Sequence, residues 1–173
     1  MFMNVYKDIY PYFNELRLQV AELKRLTNIT DQITCPDAQV ALQTNNIESD
    51  DWSIGIGKAK GDHAWEQSFN KIHPNIKGTA IEDYIQWLDV PVFRARLMLT
   101  RPKFAYSIHK DYSPRLHLPV FTNPQCFFVF KDPAEFIHMP ADGRTYFTNT
   151  TKEHTFMNGS THDRLHIVMA IKE

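Results

Sequence analysis

The first clear periodicity along the chain runs from Pro11 to Thr27, where Phe13, Leu16, Val20, Leu23 and Leu26 recur at steps of three and four. Glu15, Arg17, Lys24 and Arg25 fill the positions between them. This spacing predicts an amphipathic helix with one apolar face turned to a core. Ala38 to Leu42 reads as a strand. Residues 44–78 lose the periodicity and are rich in Asn, Asp, Gly and Lys, with Trp52, Trp65 and Phe69 among them. Such a stretch is expected to fold over the rest of the molecule as a long connector, with Trp65 a candidate for a lid. Thr79-Ala80-Ile81-Glu82 has the order of a capping box, and Tyr84, Ile85 and Leu88 follow at helical spacing. A second helix is therefore predicted from Thr79, stopped by Pro91.

Beyond Pro91 the period shortens. Apolar or alternating segments occur at Val92 to Thr100, Phe104 to His109, Leu116 to Phe121, Cys126 to Phe130, Phe136 to Met139, Thr145 to Thr148, His154 to Asn158 and Arg164 to Ile171. Turn-forming pairs such as Ser113-Pro114, Asp132-Pro133 and Asp142-Gly143 separate them. Eight short strands at this spacing predict a mainly β chain of the jelly-roll kind with flanking helices. With 173 residues there is room for one domain. Residues 1–90 form its helical and connector region and residues 91–173 its β core.

Composition narrows the function classes. Hydrophobic residues at 43% and charged residues at 23% suit a packed core rather than disorder. Nineteen Lys and Arg against 20 Asp and Glu give a net charge of -1, so there is no electrostatic signal for nucleic acid or an anionic membrane. No apolar run approaches the roughly 20 residues of a membrane span. The first residues lack the apolar block of a signal peptide. A cytoplasmic protein with reduced thiols is expected. Two cysteines, Cys35 and Cys126, are too few for a disulfide framework or a thiolate metal site. Neither a phosphate-binding glycine loop nor a nucleophile elbow is present.

Eight histidines stand out against this background. His109 and Asp111 are two apart at a strand end, where period two puts both side chains on one face. Taken alone, that pair fits an ordinary His–Asp hydrogen bond equally well. A jelly roll can bring His154, on a later strand, alongside it. Two imidazoles and one carboxylate leave positions open on Fe(II), and with water they also describe a catalytic zinc site, so the set alone leaves both metals open. Arg164 opens the last strand, with His166, Val168 and Ala170 on the same face. A guanidinium pointing into a barrel requires an anion. A dicarboxylate whose other end reaches the metal would supply one, and an ion pair with Glu153 or Asp163 is the ordinary alternative. Arg94 and Arg96 alternate with Phe93, Ala95 and Leu97, so both can project to one face; an external, salt-bridged face is the ordinary reading and contact with a substrate the alternative. Trp52, Trp65, Trp87 and Cys126 read as packing residues. His63, His73, His138 and His162 read as surface or internally satisfied histidines.

As a set, His109-Lys110-Asp111, Arg115-Leu116-His117-Leu118-Pro119, Gly143, His154, Asn158 and Arg164 resemble the aspartyl/asparaginyl β-hydroxylase family of Fe(II)/2-oxoglutarate-dependent oxygenases. The resemblance covers about residues 92–172. It implies a double-stranded β-helix (cupin-like) core, with His109, Asp111 and His154 as iron ligands. It also implies Arg164 on the distal carboxylate of 2-oxoglutarate, and Arg115 and His117 as further co-substrate contacts. The implied reaction consumes O2 and hydroxylates an unactivated C–H of a small-molecule or peptide substrate, an amino acid among them, with succinate and CO2 as co-products. Asp111 is present where the vertebrate aspartyl hydroxylases have lost the carboxylate, so the chain looks more like the branch with a full triad, which includes free-proline hydroxylases. Lys103 stands where a glycine is common, and a turn of different shape is expected there. The residues themselves also leave standing a non-catalytic cupin-like module that binds a metal or small carboxylate, and a cupin enzyme of other chemistry.

Overall fold

The computed structural model describes residues 1–29 and 37–172; Cys35 falls outside them. Among the described residues, twelve strands and three α-helices follow one another along the chain. They are β1 (Met3–Lys7), α1 (Phe13–Leu26), β2 (Asp37–Ala41), β3 (Gln43–Thr44), α2 (His63–Ser68), β4 (Lys71–Ile72) and α3 (Ala80–Trp87), then β5 (Val92–Thr100), β6 (Phe104–Ala105) and β7 (Arg115–Phe121). The last are β8 (Cys126–Phe130), β9 (Glu135–Ile137), β10 (Thr145–Thr148), β11 (His154–Asn158) and β12 (Arg164–Ile171). A six-stranded antiparallel sheet in the order β1-β10-β7-β12-β5-β2 faces a four-stranded one in the order β6-β11-β8-β9. This is the jelly-roll arrangement that the strand spacing predicts.

Period two explains how the large sheet serves two purposes. On β5, Ala95, Leu97 and Leu99 join a core with Leu116, Leu118 and Val120 of β7 and Leu165, Ile167 and Met169 of β12. The helices cover that face: Phe13, Leu16, Val20 and Leu23 of α1 and Ile81, Tyr84 and Ile85 of α3 belong to the same cluster. Each such side chain contributes roughly 1.5–3 kcal/mol on burial. The alternate residues point the other way, toward the small sheet. They include Arg94, Arg96, Arg115, His117, Arg164 and His166, all buried. A second apolar cluster of Phe128, Phe130, Met139, Tyr146 and Phe156 closes the rest of the space between the sheets.

Several details differ from expectation. Leu26 ends the helical stripe but is 63% exposed, because α1 runs past the edge of its core contact. The capping box at α3 is shifted: Thr79 Oγ1 accepts from the Glu82 N–H, but Glu82 Oε2 accepts from Gly78 rather than from Thr79 itself. Gln19 of α1 accepts from the Ala80 N–H at 2.7 Å, so the two helices are tied end to flank. The strand expected at 104–109 is regular only over β6, with an isolated bridge at His109. β9 starts one residue earlier and ends two residues earlier than its pattern suggests. β1, which the sequence does not announce, pairs with β10. Lys103 adopts φ 58°, so the turn keeps a left-handed residue where a glycine would sit without strain.

Candidate metal centre

Backbone pairing brings the three proposed ligands together. His109 and His154 exchange both backbone hydrogen bonds, N–H to O in each direction, at 3.0 Å. The Asp111 N–H donates to Thr150 O at 2.8 Å, one loop before β11. As a result one ligand atom from each of His109, Asp111 and His154 lies within 4.8 Å of the others. The imidazole rings of His109 and His154 have centroids 4.4 Å apart. His154 is buried against Phe128, whose ring stacks on it, whereas His109 is exposed and Asp111 is partly open. The cluster is therefore reached from one side.

The outer hydrogen bonds fix which nitrogen faces inward. His109 Nδ1 lies 2.8 Å from Ser107 O, and His154 Nδ1 lies 2.8 Å from Lys152 O. A carbonyl can only accept, so Nδ1 carries the proton in both rings and Nε2 presents a lone pair to the cluster. Burial, helped by nearby His109 and Arg115, lowers the His154 pKa, against the opposing pull of Lys152 O and Asp111. The neutral imidazole is the form that can coordinate a metal.

The cluster opens into a cavity of about 590 Å³ whose wall includes Arg96, Arg115, His117, Phe156 and Arg164. Arg164 is 2% exposed, lies over the Phe156 ring and contacts His166 Nδ1. It forms no ion pair with a carboxylate among the described residues, and burial pushes its pKa down to about 9. Four buried polar atoms around it have no hydrogen-bond partner there: Arg164 Nε, His166 Nε2 and both ring nitrogens of His117. Burial is the main cause that holds both histidines well below the ordinary imidazole range, with Arg164 next. A buried guanidinium beside two neutral imidazoles is thus a donor-rich pocket with nothing among the described residues to fill it. An anionic ligand satisfies both the charge and the orphaned donors.

Arg115 is situated differently. Its Nη2 donates to Glu66 Oε1 at 2.6 Å and its Nε lies 3.3 Å from Asp111 Oδ2. Glu66 is 1% exposed and also receives Arg94 Nη1 at 3.0 Å and the Ser113 hydroxyl at 2.6 Å. Burial alone would raise the Glu66 carboxyl; Arg115, Ser113 and Arg94 outweigh it and hold the pKa low. Glu66 carries no motif and its partners come from β5, β7 and the turn before β7, so sequence reasoning passes over it. The nearest signal is the Asp62 cap of α2, whose side chain accepts from the Trp65 N–H. Arg94 and Arg96 are not on an outer face: both are buried, and Arg94 lies over the Trp65 ring. Trp65 supports Arg94 from behind, while Gly57, Lys58 and Ala59 supply the connector's share of the cavity wall. His73 is fully buried and stacked on Trp52, a satisfied core histidine.

No protein-family model and no curated protein matches the chain. Solved structures do. A Pseudomonas putida prolyl-4-hydroxylase is similar over 99% of this chain and 91% of its own, with a TM-score of 0.53 at 11% identity. IDO from Bacillus thuringiensis covers 96% and 90%, with a TM-score of 0.52 at 12% identity. AviO1 from Streptomyces viridochromogenes Tue57 covers 97% and 88%, with a TM-score of 0.51 at 12% identity. At such identities the likeness shows the fold: a cupin-like double-stranded β-helix with its N-terminal helices included. Among the described residues no helix is long and apolar enough to cross a membrane.

Proposed function

We propose that the chain is an Fe(II)- and 2-oxoglutarate-dependent oxygenase that hydroxylates an unactivated C–H of an amino acid, peptide or related substrate. The observation that carries this reading is the pairing, in one cavity, of the His109–Asp111–His154 cluster with the carboxylate-free Arg164 pocket. A module that binds a metal alone has no need of a buried anion pocket beside it. His109, Asp111 and His154 would hold the iron through two Nε2 atoms and one carboxylate, a set that suits Fe(II) with positions open for a chelating keto acid and O2. Arg164 and His117 would receive the distal carboxylate of 2-oxoglutarate. When bound, the iron and co-substrate supply the oxidising power, with succinate and CO2 as co-products. The chain would present the three ligands to the metal from one cluster, orient the co-substrate and line the adjoining cavity wall with the apolar rings of Phe128 and Phe156. Arg115, engaged by Glu66 and Asp111, would steady the carboxylate ligand. The spacing of Arg115-Leu116-His117, Gly143 and Arg164 about the histidines supports placing the chain with the aspartyl/asparaginyl β-hydroxylases.

The test is anaerobic addition of Fe(II) and then 2-oxoglutarate to the purified chain. A visible metal-to-ligand charge-transfer band, followed by succinate release on admitting air, is expected. No band at saturating concentrations overturns the proposal, and a band without succinate would favour a sensor.

A further inference from the structure

Arg164 is not the one guanidinium of the cavity without a carboxylate. Arg96 lies on β5, 5% exposed, and both of its hydrogen-bond acceptors are uncharged: Gln39 Oε1 at 3.1 Å and Arg94 O at 3.2 Å. No ion pair reaches it among the described residues. Strand register separates the two arginines. Arg164 pairs with Thr100 and Val168 pairs with Arg96, so they stand four residues apart, about 13 Å along the sheet. Arg164 is beside Phe156 and His166 at one end of the cavity floor, and Arg96 is beside Gln39 at the other.

Charge makes the same point. In and directly behind this wall, four guanidinium groups (Arg94, Arg96, Arg115 and Arg164) face two carboxylates, Glu66 and Asp111. Glu66 is shared between Arg94 and Arg115, and Asp111 lies against Arg115. A divalent metal and a doubly charged 2-oxoglutarate cancel each other, so loading the site leaves that excess of two positive charges unchanged. Burial is the first cause that lowers the Arg96 pKa, to about 9, and repulsion from Arg94 and Arg115 adds to it. Even so the group is charged at neutral pH, and a buried charge without a counter-ion is expensive. Lys58, exposed at the connector strap, adds a further cation at the cavity wall.

We infer that Arg96 is a second anion subsite, which receives a carboxylate of the substrate and so restricts the enzyme to acidic or carboxylate-terminated substrates. The inference rests on the oxygenase reading for what fills Arg164; the Arg96 site itself does not depend on it. The planar fork of a guanidinium matches a carboxylate through two parallel hydrogen bonds, whereas a carboxamide offers one acceptor and no charge. The carboxylate has two possible sources, the α-carboxylate of a free amino acid or the side chain of Asp or Glu within a peptide.

Calorimetric titration of the anaerobic Fe(II)- and 2-oxoglutarate-loaded protein separates them. The probes are free amino acids, their α-carboxamides, capped peptides with internal Asp or Glu, and the same peptides with Asn or Gln. At least one carboxylate probe is expected to bind about tenfold or more tightly than its amide. The member of the panel that does so identifies the source. Arg96→Gln should abolish the preference, and Arg96→Lys should keep its sign with weaker binding. Equal binding of acid and amide, or no binding by any carboxylate, overturns the inference, as does an Arg96→Gln protein that retains the preference. The wild-type comparison needs no variant, so a poorly folding substitution does not block the test. Failure of the oxygenase reading shows separately, as the absence of the charge-transfer band before any probe is added; the acid–amide comparison is then run on the unloaded protein, with the same outcomes deciding it.

Discussion

Asp111 Oδ2 lies 3.3 Å from Nε of Arg115, and the other side of the same guanidinium donates to Glu66. A carboxylate in the candidate metal cluster is thus tied, through one buried arginine, to the short helix of the connector. The connector does more than cover the barrel: it supplies the charge that keeps Arg115 in place. Replacing Glu66 by Gln leaves buried Arg94 with a neutral partner and Arg115 with Asp111 alone. Breaking a buried pair in this way costs about 3 kcal/mol or more. Urea unfolding should show that loss, and Co(II) titration of the folded variant should show weaker binding as Asp111 loses its anchor. An unchanged unfolding midpoint would remove Glu66 from this role.

The same carboxylate sets an acid limit. The folded pKa of Glu66 is held below its ordinary value of 4.5. The unfolded chain therefore takes up the proton first as pH falls. The Glu66 contribution to stability is complete above about pH 4.5, declines below it and is gone once pH has passed the folded value. Urea midpoints measured between neutral pH and the acid range should fall more gently in Glu66→Gln than in the parent below about pH 4.5. Parallel curves would show that other carboxylates dominate the acid transition.

The metal cluster depends on groups that backbone pairing alone does not replace. Asp111→Ala and His154→Ala should lose tight Fe(II) or Co(II) binding, read by equilibrium dialysis with metal analysis. His63→Ala, which changes an exposed ring near Tyr112, should bind as the parent does. Retention of metal by either ligand variant would dissolve the proposed set.

How much of this was written in the sequence depends on distance along the chain. The α1 stripe, the α3 start and the strands at 92–100, 115–121 and 164–171 follow from local periodicity, because one face of each is fully apolar. β1 has no such signature: its residues alternate poorly and lie at a sheet edge, so pairing with β10 alone makes it a strand. His109, Asp111, His154 and Arg164 were legible as residue types at telling offsets. Arg94 and Arg96 read either way from sequence, because charge on a strand ordinarily means solvent; only the facing small sheet turns the polar side of β5 into a cavity wall. Glu66 could not be placed, since its meaning is a tertiary contact with two arginines far along the chain.

Arg164 is expected to act on co-substrate affinity rather than on metal retention. A charge-assisted contact in a buried site contributes about 1.5–3 kcal/mol, roughly a ten- to hundredfold change in the 2-oxoglutarate dissociation constant. Arg164→Gln should show that increase in a titration of the charge-transfer band, with Co(II) binding in the absence of co-substrate left near the parent value. If 2-oxoglutarate affinity is unchanged, the anion is held elsewhere in the cavity.

Gly143 illustrates a motif residue whose reason is mechanical. It adopts φ 87°, and its carbonyl accepts from the Tyr10 N–H at 2.9 Å, which fastens the turn before β10 to the start of α1. A β-carbon there would stand 3.1 Å from Ile9 Cγ2 and 3.3 Å from the Phe13 ring. The left-handed backbone costs an L residue roughly 1–2 kcal/mol, and the crowding adds to it because Phe13 is anchored in the core. Gly143→Ala is therefore expected to destabilise the fold by about 2 kcal/mol or more in urea unfolding, while Co(II) affinity of the folded fraction stays unchanged, since none of the cluster residues touches this turn. Loss of metal binding without loss of stability would assign the glycine to the site instead.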